Sequence, residues 1–378
     1  MSPKLRADTP QFEATPIGFY AYHTPPEAPH QYRLHLRVLP DGDGILIINA
    51  ASIIRLNTTG TFFAWASMQS DKEEDVLNRI QERYKHETPS LLKSDYRNFI
   101  AEILNIVNNP DQAPVIISSG FDNPEEKDLA KIPMRVNLCL TYRKNEAEYP
   151  IPEKELSTEE WVQIIRKTFE AGIPQVVFFG GEPTVRKDLL ALLAYTEELG
   201  LVSGLITSSP IVIEEPGYLT QINEIGLDHL VLEIDPEAVI ANDLRHIFDQ
   251  DLFSCIRFGV KDGADLLERA LSLAQSGANA LSLYPLDIVA AQTTSNLHQQ
   301  LVNHGVLIEQ DMPLPLNTNS ISEIHLFSPE LNEPIMDYSL TVLPDGTVCL
   351  QEDLNSQFGN INLQDWGTLL SNHNTSEE

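Results

Sequence analysis

The stretch VVFFGGEPTVRKDLLALLAYTEELG, residues 176–200, decides the fold predicted for this chain. Its apolar start predicts a buried strand, and the apolar spacing that follows Asp188 predicts a helix. Gly180 and Gly181 let another backbone or a ligand approach closely, and Glu182 offers a carboxylate that accepts hydrogen bonds from an ammonium group. Pro183 suits a chain that is leaving a strand. A purely structural alternative stays open, in which the turn serves only the strand-to-helix geometry.

Strands and helices alternate on both sides of this stretch. Strands are predicted at 134–140, 175–179, 201–206, 228–234, 253–260 and 279–284, and helices at 157–171, 186–199, 216–225, 238–249, 263–276 and 293–304. Strands separated by crossover helices imply a parallel α/β sheet, either as a barrel or as a doubly wound sheet. Both forms place ligand sites at the carboxyl ends of the strands.

The N-terminal part has a different pattern. Residues 1–28 are Pro-rich and predict an extended arm, residues 31–39 alternate as a strand does, and ILIINAASIIRLN predicts a pair of strands. TTGTFFAWASM predicts a helix capped by Thr58 or Thr59, and LLKSDYRNFIAEILNIV predicts another. Between them, DKEEDVLNRIQERYK predicts a helix with Asp71 as N-cap and Glu74 completing a capping box. Residues 109–130 are rich in turn formers and predict a linker.

The GGEP turn with its following RKDL resembles the radical S-adenosylmethionine enzymes. In that family the GGEP turn contacts the amino group of S-adenosylmethionine, which the resemblance transfers to Gly180, Gly181, Glu182 and Pro183. Thr207, with two serines after it, stands where the family has Thr-Asn-Gly. Glu233 and Asp235 lie in the strand that matches the family's Ser-x-Asp-Gly. These are the cofactor-binding candidates that the resemblance implies, and a buried polar network or acid–base chemistry at the last two stays open.

The segment LTYRKNEAEYPI, residues 140–151, departs from the family. Members read Leu-Thr-x-Arg-Cys-Asn before a CxxxCxxC loop, and the three cysteine positions here fall on Lys144, Glu148 and Ile151. Three thiolates hold the family's four-iron four-sulfur cluster, so we expect no iron–sulfur cofactor, with S-adenosylmethionine binding left open. Lys144 and Glu148 have the spacing of a helical ion pair. The cysteines of the chain, Cys139, Cys255 and Cys349, occur singly, and Cys139 and Cys255 are interpreted as buried small hydrophobes.

The resemblance extends to both ends of the chain. Residues 29–108 resemble a PqqD-like winged helix-turn-helix domain, which in peptide maturases binds a precursor leader as an added strand, with 31–39 as the candidate edge. LPDGTV and FGNI, with a hairpin around Pro344-Asp345-Gly346, resemble a shortened SPASM domain. The expected fold is therefore a partial six-stranded TIM-like barrel at 131–310 between that recognition domain and a SPASM-like segment at 311–378.

The function expected from these observations is that of a degenerate radical S-adenosylmethionine protein. It would bind a peptide or partner protein as a pseudoenzyme in a peptide-modification or assembly pathway, with no residue assigned to catalysis or to a metal. Two alternatives stay open. In the first, the barrel still binds S-adenosylmethionine or another small ligand and carries out non-radical chemistry. In the second, the chain is a structural subunit of a larger complex.

The charge of the chain limits its partners. With 25 basic and 55 acidic residues, the formal net charge is −30. So negative a surface repels nucleic-acid backbones and anionic lipids, which excludes both as expected partners and favours a basic or neutral peptide. The N-terminal residues have no apolar core that resembles a signal peptide, and no apolar run is long enough to span a bilayer. We therefore expect a cytoplasmic protein.

Overall fold

The structure is a computed structural model of the 378-residue chain. It describes residues 15–25, 28, 32–50, 52–108, 133–144, 155–208, 212–213, 215–234, 244–250, 252–263, 266–309, 340–350 and 357–374. The chain divides into two units, Met1–Glu126 and Lys127–Glu378. The five-part division expected from the sequence stays a prediction, and the expected linker at 109–130 lies outside the described residues.

The first unit contains a four-stranded antiparallel sheet. Its strands, in the spatial order β1-β2-β3-β4, are β1 (Gly18–His23), β2 (Arg33–Val38), β3 (Gly44–Ile48) and β4 (Ser52–Leu56). β1 lies inside the predicted extended arm and pairs along its length with β2, because Tyr20 and Tyr22 pack against the core. The candidate edge at 31–39 is wrong, since β2 is paired on both sides. The outer strands are β1 and β4.

Three helices follow this sheet, and two of their predicted N-caps are wrong. They are α1 (Thr58–Ser67), α2 (Glu73–Arg83) and α3 (Pro89–Asn108). The α1 cap is Asn57, whose side chain accepts from the Gly60 amide at 2.9 Å. Helix α2 begins after Lys72 without a side-chain cap. The carboxylate of Asp71 instead accepts a hydrogen bond from Tyr22 in β1, a long-range contact that local sequence does not reveal.

The core of this unit lies between the sheet and the helices. Phe63 of α1 is 1% exposed and makes edge-to-face contacts with Tyr84, Tyr96 and Phe99. Such aromatic pairs add about 1 kcal/mol each beyond the burial of their area. The Trp and Phe side chains of FFAWAS are therefore used mainly for packing.

The second unit is a mixed α/β fold with a parallel sheet. Its six parallel strands are β5 (Arg135–Thr141), β6 (Gln175–Gly180), β7 (Val202–Thr207), β8 (His229–Ile234), β9 (Phe253–Val260) and β10 (Ala280–Pro285). They are neighbours in chain order. A doubly wound sheet reverses its strand order, so the sequential order favours winding of the barrel type. The partial barrel stays a prediction.

Helices lie between successive parallel strands. They are α4 (Thr158–Glu170), α5 (Leu189–Glu198), α6 (Pro216–Ile225), α7 (Arg245–Phe248) and α8 (Leu267–Ala274), and α9 (Ala291–Asn303) follows β10. Ser157 and Glu160 form a capping box at the start of α4. The helix predicted at 238–249 is described only from residue 244 onward, where α7 is a single turn. None of the described helices combines the length and apolar character that crossing a bilayer requires.

The C-terminal segment extends the same sheet. Strands β11 (Leu340–Val342), β12 (Thr347–Leu350) and β13 (Gln357–Asn360) precede α10 (Trp366–Asn374). The hairpin predicted around Pro344-Asp345-Gly346 joins β11 and β12. β11 lies parallel to β5 on the side away from β6, so the C-terminal segment supplies the neighbour that β5 otherwise lacks.

One face of the parallel sheet carries a continuous apolar cluster. Its members come from β5 to β10 and include Cys139, Phe179, Val231 and Cys255. Side chains alternate along a strand, so residues two positions further on share this face and lie closer to the carboxyl ends. In β8 and β9 these residues are Glu233 and Arg257, and they place polar groups at the end of the sheet where parallel α/β folds hold ligands.

Candidate functional site

The two glycines after β6 are needed for packing against the chain that follows β5. A Cβ on Gly180 would lie 2.4 Å from the Thr141 carbonyl oxygen, and one on Gly181 would lie 2.2 Å from the Arg143 carbonyl oxygen. These carbonyls accept hydrogen bonds at 2.8 Å from the Gly181 amide and at 2.7 Å from the Glu182 amide. The turn therefore joins the backbone after β6 to the backbone at the end of β5, which is the role that the purely structural alternative gives it.

The carboxylate of Glu182 is 4% exposed, and donors from its own chain surround it. Its Oε1 accepts from the Thr184 amide at 3.0 Å, the Thr184 hydroxyl at 2.8 Å and the Thr207 hydroxyl at 2.7 Å. Its Oε2 accepts from the Ser208 amide at 2.9 Å and the Ser208 hydroxyl at 3.1 Å. Both oxygens are thus occupied, and the side chain fastens the end of β6 to the end of β7.

Two further sequence candidates belong to the same turn. Pro183 begins a single turn of 3-10 helix, Pro183–Val185, which brings the Thr184 donors to Glu182. Thr207 at the end of β7 is 2% exposed. Burial, with a smaller contribution from the charge of Glu182, raises the pKa of Tyr218 to about 12. The structure therefore brings Gly180, Gly181, Glu182, Pro183 and Thr207 together.

A buried ion cluster lies beside this turn. Arg186 donates to both oxygens of Asp188, at 2.9 and 2.7 Å, and lies 3.7 Å from Glu155. Arg143 approaches the same Glu155 carboxylate at 3.6 Å, and Thr141 donates a hydrogen bond to it. Arg143 and Glu155 flank residues 145–154, so this cluster holds the two ends of that segment close together.

Asp188 keeps its charge in this cluster. Burial opposes ionisation, but hydrogen bonds from Arg186 and Thr158 outweigh it, so the pKa of Asp188 lies below its ordinary value. Lys144 is among the described residues, whereas Glu148 and Ile151 are not. The proposed pairing of Lys144 with Glu148 therefore stays a prediction.

A second polar group lies at the carboxyl ends of β8, β9 and β10. Tyr284 donates to Glu233 Oε1 at 3.3 Å, and Arg257 Nε lies 4.0 Å from Glu233 Oε2. The guanidinium carbon of Arg257 is 4.9 Å from the centre of the Tyr284 ring. Among the described residues, Glu233 is thus held by β9 and β10 and makes no hydrogen bond to Glu182. Its predicted partner Asp235 lies outside the described residues.

The sequence analysis did not single out Arg257, Tyr284 or Glu155. Arg257 did leave a signal, because it is the charged residue of a buried strand whose other residues are uncharged, FSCIRFGV. A strand buried over all its length tolerates a charge only where something compensates it. Tyr284 and Glu155 have no comparable local signal.

The three cysteines are enclosed in the core. Cys139, Cys255 and Cys349 are each 0% exposed, as expected for Cys139 and Cys255. Their thiols contact backbone carbonyls at 3.6–3.7 Å, those of Thr141, Ile256 and Thr341 respectively. Burial raises the pKa of Cys139 and of Cys255 well above the ordinary value. Thiolates are the ligands of iron–sulfur clusters, and these buried thiols do not fit that role.

Curated relatives support the class that the sequence indicated. The chain is 38% identical over 102 residues to the PqqA peptide cyclase of Bradyrhizobium diazoefficiens, covering 27% of this chain and 26% of that protein. It is 38% identical over 120 residues to the PqqA peptide cyclase of Rhodopseudomonas palustris, covering 29% and 31%. These similarities support a radical S-adenosylmethionine family of peptide-modifying proteins. The match spans less than a third of the length of either relative. A comparison with models of protein families finds no match.

Solved structures give weaker similarities. Streptococcus suis SuiB bound to S-adenosylmethionine is 12% identical with a TM-score of 0.47, covering 92% of this chain and 87% of that one. SuiB bound to the precursor peptide SuiA is 13% identical with a TM-score of 0.48, covering 88% and 85%.

The comparison corrects the expectation about cofactors. The expectation of no iron–sulfur cofactor is wrong, because the class that the relatives support implies S-adenosylmethionine together with an iron–sulfur cluster. The ligands of such a cluster stay unassigned in this chain, since the three thiols lie in the core.

Proposed function

We propose that the chain binds a peptide, or a peptide segment of a partner protein, and serves a peptide-modification pathway as an accessory factor. The observation that carries the proposal is the outer strand β4, which pairs with β3 and with no other described strand. Such an edge offers backbone donors and acceptors to an incoming strand. In this proposal the first unit is a PqqD-like recognition domain.

The side chains of β4 suit this role. They alternate between more and less exposed positions along the strand, and Ile53 is 44% exposed while Ile54 packs against the core of the unit. An added strand would therefore meet an exposed apolar side chain as well as backbone groups. The net charge of −30 favours a basic or neutral peptide over an acidic one.

The relatives lend independent support to a peptide partner. Both are named as cyclases of the peptide PqqA. By analogy we assign a peptide to this chain, without assigning its sequence.

Two proline variants of the full chain test the β4 edge. Neighbouring residues of a strand point their N–H groups to opposite sides, so one of Ile53 and Ile54 donates toward β3 and the other away from it. Proline at the inward position removes a ladder bond and lowers the melting temperature. Proline at the outward position removes only an edge donor. The probe is a random peptide library, from which the immobilised full chain selects the peptides that it binds.

We expect the wild-type chain to enrich peptides, and the outward proline variant to lose them while keeping its melting temperature. Enrichment that survives in the outward variant would place the peptide elsewhere. A wild-type chain that enriches nothing refutes the proposed function.

The accessory role is a separate part of the proposal. It is supported by the Glu182 carboxylate, whose oxygens are already occupied by Thr184, Thr207 and Ser208. The accessory role concerns turnover and not the absence of a cluster, so the test is anaerobic reconstitution with iron and sulfide, followed by reduction in the presence of S-adenosylmethionine. We expect no 5′-deoxyadenosine above that of a protein-free control. Catalytic formation of 5′-deoxyadenosine would make the chain an enzyme and leave peptide binding as its substrate step.

A further inference from the structure

The guanidinium of Arg257 occupies an exceptional position in the sheet. In β9 it lies between Glu233 of β8 and Ser282 of β10 in the strand register. It shares its face with Phe253 and Cys255, which belong to the apolar cluster of the sheet. Its side chain is 2% exposed.

This cation is incompletely compensated. Its Nη2 has no hydrogen-bond partner among the described residues. The contact of its Nε with Glu233 is 4.0 Å long, beyond hydrogen-bond distance. A guanidinium does not lose its proton in proteins, so burial leaves a charged donor without an acceptor. Such a group is unfavourable for folding unless an anion completes its hydrogen bonds.

Apolar residues follow Tyr284 at the end of β10. Gly259, two residues beyond Arg257, leaves the space in which Tyr284 and Leu286 lie. A Cβ there would be 3.1 Å from Tyr284 Oη and 2.8 Å from Leu286 Cδ2. The following residues Ile288 and Val289 are 52% and 64% exposed. Tyr284 thus contacts the guanidinium, and exposed aliphatic residues follow it in the chain.

We infer that Arg257, Tyr284 and the rim of Leu286, Ile288 and Val289 form a receptor for a carboxylate attached to an apolar residue of a peptide. The inference rests on the proposed peptide-binding function and adds a second contact point to it. A carboxylate fits because it accepts from the guanidinium edge that Glu233 leaves unused. A dianionic phosphate would face the Glu233 charge with one cation as compensation. The aliphatic rim accounts for the neighbouring apolar residue.

The test compares N-acetylleucine with N-acetylleucinamide, which differ only in the carboxylate. Binding to the full chain is measured by ligand-observed NMR at pH 7. We expect the acid to bind at least about tenfold more tightly than the amide, and Arg257→Met to abolish that difference. Arg166→Met, which removes an exposed arginine of α4, is the matched control and keeps the difference. Glu233→Gln should tighten binding of the acid, because it removes the competing charge.

Equal binding of acid and amide would overturn the inference, as would a difference that persists in Arg257→Met. If that variant fails to fold, Arg257→Lys keeps the charge without the Nη2 donor and should also weaken the acid. S-adenosylmethionine is the third titrant, since it carries a carboxylate of its own. If the binding of S-adenosylmethionine depended on Arg257 and the binding of N-acetylleucine did not, the assignment of a peptide carboxylate would be overturned. N-acetylleucine is too short to add a strand, so this test and the β4 test can fail separately.

Discussion

Two polar groups at the carboxyl end of one parallel sheet differ in how their charges are met. After β6, the carboxylate of Glu182 is surrounded by hydroxyl and amide donors of Thr184, Thr207 and Ser208. At β8 to β10, the guanidinium of Arg257 retains a donor without a partner among the described residues. In this chain a satisfied buried charge holds neighbouring strands together, whereas the guanidinium with an unused donor is the group to which we assign a ligand.

Among the tests of this comparison, Gly181→Ala has the largest expected effect. The added methyl group would meet the Arg143 carbonyl, a backbone atom that cannot move without opening the turn. We expect a loss of about 5 kcal/mol of unfolding free energy, measured by urea denaturation. The control is Gly217→Ala in α6, where a Cβ meets nothing within 4 Å and alanine favours the helix. A small loss at Gly181 would show that the turn is held less tightly than its contacts indicate.

His229 sharpens the comparison because it is a buried base that is able to lose its charge. Burial, and then the charge of Arg135, lowers its pKa to about 4 from the ordinary 6.5. The unfolded chain therefore binds the proton more readily, and stability is full above pH 6.5 and falls toward pH 4, by about 3 kcal/mol. His229→Leu should remove this part of the pH dependence. Urea midpoints of both proteins from pH 7 to pH 4 provide the measurement, and parallel curves would contradict the assignment.

Glu182→Gln tests the satisfied group more gently. The amide keeps the shape of the side chain but replaces one acceptor with a donor that faces donors already present. We expect a loss of about 2 kcal/mol. Glu170→Gln, at an exposed position of α4, is the control and should change little. A stability equal to wild type would mean that the donors around Glu182 find other acceptors.

The smallest expected effect is that of Arg257→Met on stability. Removing a buried charge that lacks compensation costs no good hydrogen bond, so we expect a change of less than about 1 kcal/mol or a slight gain. The melting temperature of the unliganded chain is the measurement. A loss comparable to that of Glu182→Gln would place Arg257 among the satisfied groups and remove the contrast between the two regions.

Much of the fold follows from short-range pattern. The predicted strands at 175–179 and 253–260 and the helix at 216–225 agree with β6, β9 and α6 to within a residue. Apolar runs and helical spacing are local properties, so they indicate a strand or a helix without any knowledge of tertiary contacts. The α2 cap failed because Asp71 is engaged by Tyr22, forty-nine residues away.

The sequence by itself determined the alternation of strands and helices, the glycine turn after β6 and the burial of Cys139 and Cys255. Only the tertiary structure decided that β2 is an inner strand, that β11 lies beside β5, and that Glu233, Arg257 and Tyr284 meet. The physical reason is that strand neighbours and cross-strand side-chain pairs are set by register between distant segments. The sequence does not show whether a given Glu or Arg has partners in the folded chain, because those partners come from distant segments.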